Sequence, residues 1–206
     1  MICKNVIFDY GNTIVEFEPV NIVKRFGVTD AADASVLCEK VFDRRYWDRL
    51  DSDDISQTAF IEAVLSGLPA GLHDKAMDIC NNWITELPFI HGMDDLIYGL
   101  KRDGYKIYLL SNISRHFAEN KEKTEIFKVF DGLVFSGEIG LVKPSREIFE
   151  YILREYGLAP AETVFIDDNA KNTAAAESMG ISSLLFDGNA ETAKSFIYNL
   201  NKFRAK

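Results

Sequence analysis

The sequence predicts an α/β protein, a doubly wound parallel sheet core carrying a small inserted all-helical segment, and three observations predict it. From Pro88 onward, apolar β-branched runs alternate with helical patterns, the arrangement of βαβ units and a parallel sheet. Between residues 16 and 87 only helical spacing occurs, so a run of helices interrupts the strands. Three apolar runs end at polar or acidic residues, namely Asp9, Ser111 and the pair Asp167 and Asp168. Parallel strands share one carboxyl edge, and ligands bind in the crevice there. Residues far apart in the chain are therefore expected to meet in one pocket.

In chain order, Ile2 to Phe8 reads as a buried strand ending at Asp9. Helical spacing follows at Val20, Val23 and Phe26, at Val36, Leu37, Val41 and Phe42, and at Ile55, Ala59, Phe60, Ala63 and Val64. A helix is expected from about Asp94 to Asp103, a strand over Tyr105 to Leu110, and a helix near Phe117 to Phe130. Then come a strand over Leu133 to Phe135, a helix over Ser145 to Tyr156, a strand over Thr163 to Ile166, a helix over Thr173 to Met179 and a strand over Ser183 to Phe186. Gly104, Gly157 and Gly180 stand where these helices should stop. The core is expected to comprise residues 1–15 and 88–206, with 16–87 inserted above the crevice as a lid.

Composition narrows the function classes. The 206 residues are 47% hydrophobic and 27% charged, ordinary globular usage with enough apolar material for one full core. Thirty-two acidic against 23 basic residues give a net charge of −9, so the global field repels nucleic acid and anionic membranes. A phosphate-bearing partner must be held by local cations or a metal. Cys3, Cys38 and Cys80 lack metal-ligand spacing and read as packing thiols in a reducing compartment. No run is apolar enough to span a bilayer, and MICKNVIFDY lacks a cleavable leader pattern. A cytoplasmic location is expected, and the oligomeric state is open.

The chemistry-bearing residues each admit two readings. Asp9 is a nucleophile or a hydrogen-bonded turn residue, and Gly11 permits close backbone approach or positive φ. Asp167 and Asp168 are carboxylates for a shared cation or a polar turn with a helix cap. Because neighbouring side chains diverge, at most one of them is expected to aim at the same centre as Asp9. Converging carboxylates repel unless a cation neutralises them, and a hard divalent ion such as Mg²⁺ is the simplest solution. Ser111 and Asn112 can donate to phosphate oxygens or cap a helix. Lys143, before Pro144, is a fixed cation for a phosphoryl group or a solvated lysine; Pro144 suits the first turn of the following helix. Arg44, Arg45, Tyr46, Trp47 and Arg49 read as helix packing with snorkelling arginines.

The four clusters together resemble the haloacid dehalogenase superfamily, whose members are mostly phosphatases: Phe8-Asp9-Tyr10-Gly11-Asn12-Thr13, Leu110-Ser111-Asn112, Lys143-Pro144, and Phe165-Ile166-Asp167-Asp168-Asn169 stand in the order of its four motifs. The resemblance implies a Rossmann-like core with a helical cap over about Glu16 to Leu87. It implies that Asp9 attacks phosphorus to form an aspartyl-phosphate, that Ser111, Asn112 and Lys143 bind phosphate, and that Asp9, the Gly11 carbonyl and Asp168 hold Mg²⁺ with Asp167 in support. The substrate it implies is a small phosphorylated metabolite.

One position departs from the pattern. The usual first motif is Asp-x-Asp, whose second Asp transfers protons; here it is Gly11. Losing a positioned acid or base costs about 10² to 10⁴ in rate. Either the substrate has a good leaving group, such as a sugar 1-phosphate, or another residue substitutes, or activity is impaired and the protein binds or regulates. Glu16, Glu18, Asp43, Asp48, His91 and His116 are unassigned candidates for the substitute. The bacterial glucose 1-phosphate phosphatases resemble this chain in the Phe-Asp-x-Gly-Asn start, which favours the first explanation. Metal-free haloacid dehalogenation is the alternative chemistry, and the paired Asp167 and Asp168 disfavour it.

Overall fold

The structure is a computed structural model that describes residues 3–203. Its elements run β1 (Asn5–Phe8), α1 (Pro19–Arg25), α2 (Ala31–Val41), α3 (Arg44–Asp51), α4 (Gln57–Ser66), α5 (His73–Asn82) and α6 (Met93–Arg102). Then follow β2 (Lys106–Ser111), α7 (Arg115–Ala118), β3 (Gly132–Phe135), α8 (Ser136–Ile139), α9 (Arg146–Glu155), β4 (Thr163–Asp167), α10 (Ala170–Glu177), β5 (Ser182–Leu185) and α11 (Ala190–Phe203). The five strands form one parallel sheet in the order β3-β2-β1-β4-β5. This is the expected doubly wound architecture. Ile2 of the expected first strand lies outside the described residues.

Period-two alternation explains why the sheet is covered on both faces. Val6 and Phe8, Ile107 and Leu109, and Val164 and Ile166 share one cluster with Met93, Ile97 and Leu100 of α6 and Ala193 and Ile197 of α11. Ile7, Tyr108, Leu110 and Phe165 pack on the other face against Ile148, Phe149 and Ile152 of α9 and Ala176 of α10. Phe149 meets Phe165 edge to face with centroids 5.3 Å apart, a favoured aromatic geometry. The helices α1 to α5 extend the first cluster through Ile22, Leu37, Trp47, Phe60 and Ile79. Their segment leaves and returns side by side, since Glu16 N–H donates to the Pro88 carbonyl at 2.9 Å and Val15 bridges Phe89.

The register sets the position of the site. Phe8 lies opposite Leu109 on β2 and Ile166 on β4, so the residues that follow each strand emerge together at one edge. Among the described residues, no helix is long and apolar enough to cross a membrane.

Four features differ from expectation, one of them the short helix α8, which follows β3 where no helix was expected. The helix expected near Phe117 to Phe130 is broken into α7 and two 3₁₀ turns, Lys121–Lys123 and Glu125–Val129. Asn120 Nδ2 donates to the His116 carbonyl at 2.8 Å, and Thr124 is extended at φ −103° and ψ 99°. Side-chain competition for backbone acceptors and a β-branched residue both weaken a helix there. Pro144 does not enter the first turn of the next helix, which begins at Arg146. The C-terminal helix α11 was not expected at all. Its signals are local: Asn189 Oδ1 accepts from the Glu191 N–H at 2.9 Å as an N-cap, and Ala193 and Ile197 are buried one turn apart.

Candidate active site

Asp9 ends the fully buried β1, and its main-chain N–H donates to the Ile166 carbonyl at 2.9 Å. The chain then turns tightly, with the Tyr10 carbonyl accepting from Ile14 and Val15. The positive φ that Gly11 was expected to allow falls instead on Asn12, at 53°. Asn tolerates that region, and its Oδ1 accepts from the Phe17 N–H at 2.9 Å. Gly11 is not demanded by backbone strain. A Cβ there would touch Phe17 Cβ at 3.4 Å, ordinary contact.

Lys143 is the centre of the cluster. Its side chain is 2% exposed, and Nζ donates to Asp9 Oδ1 at 2.6 Å and to Asp167 Oδ2 at 2.8 Å. Burial alone would push the ammonium pKa down, yet the two carboxylates outweigh it and the pKa lies above the usual lysine value. The solvated reading of this lysine is overturned. Asn112 holds the lysine in place: its Oδ1 accepts from the Lys143 N–H at 2.8 Å and its Nδ2 donates to the Lys143 carbonyl at 3.0 Å. Its side-chain amide therefore fastens the loop, and Asn112 borders the cavity as well.

The pair at the end of β4 behaves differently from expectation. One oxygen each of Asp9, Asp167 and Asp168 lies within 4.8 Å of the others, so both neighbours reach the centre. They bend together because β4 ends at Asp167 and the chain turns at Asp168. Asp167 is fully buried and saturated, accepting from Lys143 Nζ, from the Asn169 N–H at 2.8 Å and from Asn172 Nδ2 at 3.0 Å on both oxygens. Burial, with Asp167 adding, raises the Asp168 pKa. Burial also pushes Asp9 up to about 6, with Lys143 opposing and Asp167 adding. Asp9 and Asp168, with the hydrogen-bonded Asp167 close behind them, are a donor set suited to a hard divalent cation.

A cavity of about 360 Å³ opens over this cluster, bordered below by Asp9, Gly11, Ser111, Asn112, Lys143 and Asp168. Ser111 is buried at the end of β2. From above, α3 contributes Arg44, Trp47, Asp48 and Asp51, joined by Phe17 and Trp83. Those α3 positions are spaced i, i+3, i+4 and i+7, one face of a helix. The packing reading of the arginine and aromatic cluster thus holds only in part. Trp47 packs at 5.3 Å from Trp83, and Arg45 pairs with Asp43, but Arg44 and Trp47 also border the cavity.

Of the candidates for the missing proton-transfer group, Asp48 alone borders the cavity among the described residues. It is held by Arg44 at 2.6 Å. Asp43 caps α3, Glu16, Glu18 and His91 are exposed, and the His116 ring faces the Asn81 carbonyl. Sequence reading passed over Asp51, which is 8% exposed at the end of α3. Burial raises its pKa well above the usual carboxylate range; Arg44 opposes, and Asp48 and Asp9 add to the rise. The signal was present as Arg44, Trp47, Asp48 and Asp51 on one helical face.

Comparison with known proteins accords with this geometry. A family described as haloacid dehalogenase-like hydrolase matches residues 3–180. D-ribitol-5-phosphate phosphatase of Bacteroides thetaiotaomicron is 24% identical, over 96% of this chain and 98% of its own length. A sesquiterpene phosphatase of Aspergillus oryzae is 33% identical over 45% of this chain and 47% of its own. In structure, the chain is similar to a crystallised HAD family enzyme of Bacteroides thetaiotaomicron in complex with magnesium and inorganic phosphate, with TM-score 0.71, 23% identity, and coverage of 94% of this chain and 99% of that one.

Proposed function

Since the chain belongs to the haloacid dehalogenase-like hydrolases, we propose that it is a Mg²⁺-dependent phosphatase that cleaves a small sugar or polyol phosphate through an aspartyl-phosphate on Asp9. The observation that carries this reading is the convergence of Asp9, Asp167 and Asp168 within 4.8 Å around Lys143. Asp9 attacks phosphorus, the P–O bond to the leaving group breaks, and water later cleaves the acyl phosphate. Ser111, Asn112 and Lys143 meet the phosphoryl oxygens, and Asn112 also positions Lys143. Asp9, the Gly11 carbonyl and Asp168 would hold Mg²⁺, with Asp167 supporting them. Bound there, the cation supplies positive charge to the transferring group and relieves the repulsion among the carboxylates. Residues 16–87 serve as the cap, whose Trp47 and Trp83 offer apolar faces and whose Arg44 and Asp48 offer polar groups to the rest of the substrate.

Gly11 by itself points to sugar 1-phosphates, whose leaving group needs little protonation. The similarity to D-ribitol-5-phosphate phosphatase points to a primary alkyl phosphate. A screen of glucose 1-phosphate, glucose 6-phosphate and ribitol 5-phosphate, each with and without Mg²⁺ and with 2-chloropropionate as a control, tests the reading. Phosphate release that depends on Mg²⁺ is the expected result. Metal-independent chloride release, or no hydrolysis of any phosphate, would overturn it.

Asp168→Ala is expected to weaken Mg²⁺ binding by about 10-fold or more, because it removes a donor of the acidic cluster that, among the described residues, no hydrogen bond to another side chain occupies. Isothermal titration with MgCl₂ on the two proteins checks this; equal affinities would remove Asp168 from the ligand set.

The pH dependence follows from Asp9. Its pKa is raised to about 6, and only the carboxylate attacks, so the rate should fall as pH drops through that region. Cation and proton compete for the same oxygens, so higher Mg²⁺ should move the fall to lower pH. Because the folded value is raised, this group makes the metal-free fold lose stability as pH rises from about 4 to about 6. Initial rates at two Mg²⁺ concentrations and metal-free melting across that interval check both signs.

A further inference from the structure

We infer that the Asp51 carboxyl, reaching the cavity from α3, is the proton-transfer group that Gly11 cannot be. The inference rests on the phosphatase reading above and supplies the step that reading leaves open.

Asp51 borders the same cavity as Asp9, Ser111 and Lys143, and it comes from α3 of the inserted helical segment, not from the strand ends. A leaving oxygen departs from the face of phosphorus away from Asp9, so a donor must come from the cap side. Asp48 lies on that side too, but it is exposed and its oxygen is 2.6 Å from Arg44. Asp48 is thus engaged by a guanidinium at the surface and not turned freely to a leaving oxygen. Among the described residues no ion pair holds Asp51, and its burial favours the neutral acid.

Its position is also fixed relative to the phosphate site. The Asp51 carbonyl accepts from Ser136 Oγ at 2.6 Å, and the same Oγ accepts from the Ile113 N–H at 2.9 Å. Ile113 follows Ser111 and Asn112 directly. Two residues past Asp51, Asp53 forms a two-pronged pair with Arg115 of α7, at 2.6 and 3.1 Å. The end of α3 is thereby fastened to the segment that follows Ser111.

The balance of the two steps is complete. As the Asp9 oxygen bonds to phosphorus and the leaving P–O bond breaks, the Asp51 proton passes to the leaving oxygen and yields the alcohol. In the second step the Asp51 carboxylate takes a proton from water, the water oxygen bonds to phosphorus, and the bond to Asp9 breaks. Phosphate, ionised Asp9 and protonated Asp51 result.

The test is a series of substituted phenyl phosphates assayed with Mg²⁺, none of which offers the cap a sugar hydroxyl to bind. The unaltered protein should show a shallow dependence of kcat/KM on the leaving phenol's pKa. Asp51→Asn should steepen it, losing about 10² to 10⁴ on phenyl phosphate and about tenfold or less on p-nitrophenyl phosphate. In that variant acid-quenched phosphoenzyme should accumulate, because water has lost its base. Adding Gly11→Asp to Asp51→Asn should restore the shallow slope, since a Cβ at position 11 meets only Phe17, at 3.4 Å, and the backbone there needs no glycine. Parallel slopes for the two proteins would overturn the inference. So would a steep slope in the unaltered protein, which needs no variant to fold. Failure of the phosphatase reading looks different: the unaltered protein then releases phosphate from no member of the series, and this inference falls with it.

Discussion

Asp9→Asn is expected to lose turnover by on the order of 10⁴-fold or more, with little change in stability. The amide has the volume of the carboxylate and cannot form the acyl phosphate. The fold survives because Lys143 keeps its second partner, Asp167 Oδ2 at 2.8 Å, and because Asp167 is independently held by Asn169 and Asn172. The exchange also removes one of three mutually repelling carboxylates. Steady-state rates on any accepted phosphomonoester, paired with thermal melts, decide the matter. A variant that turns over at the parent rate would refute the covalent mechanism, and one that fails to fold would show that Asp9 is a structural partner of Lys143 first.

Lys143→Ala carries the second large effect, and it acts on stability as well as rate. The lysine side chain is 2% exposed and Asp167 0%, so removing the cation leaves two carboxylates facing each other in a site with little water. Breaking a buried pair from one side costs about 3–5 kcal/mol. In the metal-free protein the midpoint of urea unfolding should fall accordingly, and Mg²⁺ should recover part of the loss by supplying charge to the same oxygens. Lys143→Met retains the apolar stem and separates packing from charge: it should be nearly as destabilised as Ala. Turnover should fall in both, since the proposed mechanism relies on this cation to meet the phosphoryl oxygens. An unchanged unfolding midpoint for Lys143→Met would mean that the lysine charge does not stabilise this cluster.

Much of the fold was legible because it rests on short-range patterns. β1, β2 and β4 are apolar runs with a polar residue at the end, and Gly104, Gly157 and Gly180 all take positive φ at the helix ends where they were expected. The legibility failed where a local competitor or a distant partner took over. Asn120 and Thr124 broke a helix that hydrophobic spacing alone would continue. Asn112 after a strand has the capacity to donate to phosphate, but that its amide also holds the backbone of a residue 31 positions away is not a local signal. Asp51 escaped notice because a carboxylate in a helix rich in arginine and aspartate looks like solvated surface until the face it occupies is known.

By itself, then, the chain's residue order determined the alternation of strands and helices, the strand ends where Asp9, Ser111 and Asp167 emerge, and the absence of a side chain at Gly11. Those follow from periodicity and backbone chemistry, which act over a few residues. Only the tertiary structure decided that Lys143 bridges Asp9 across 134 positions of sequence and that α3 turns Asp51 toward the same cavity. Such meetings depend on sheet register and on how the inserted helices dock. Both are set by burial of apolar surface summed over the whole core, so no single segment encodes them.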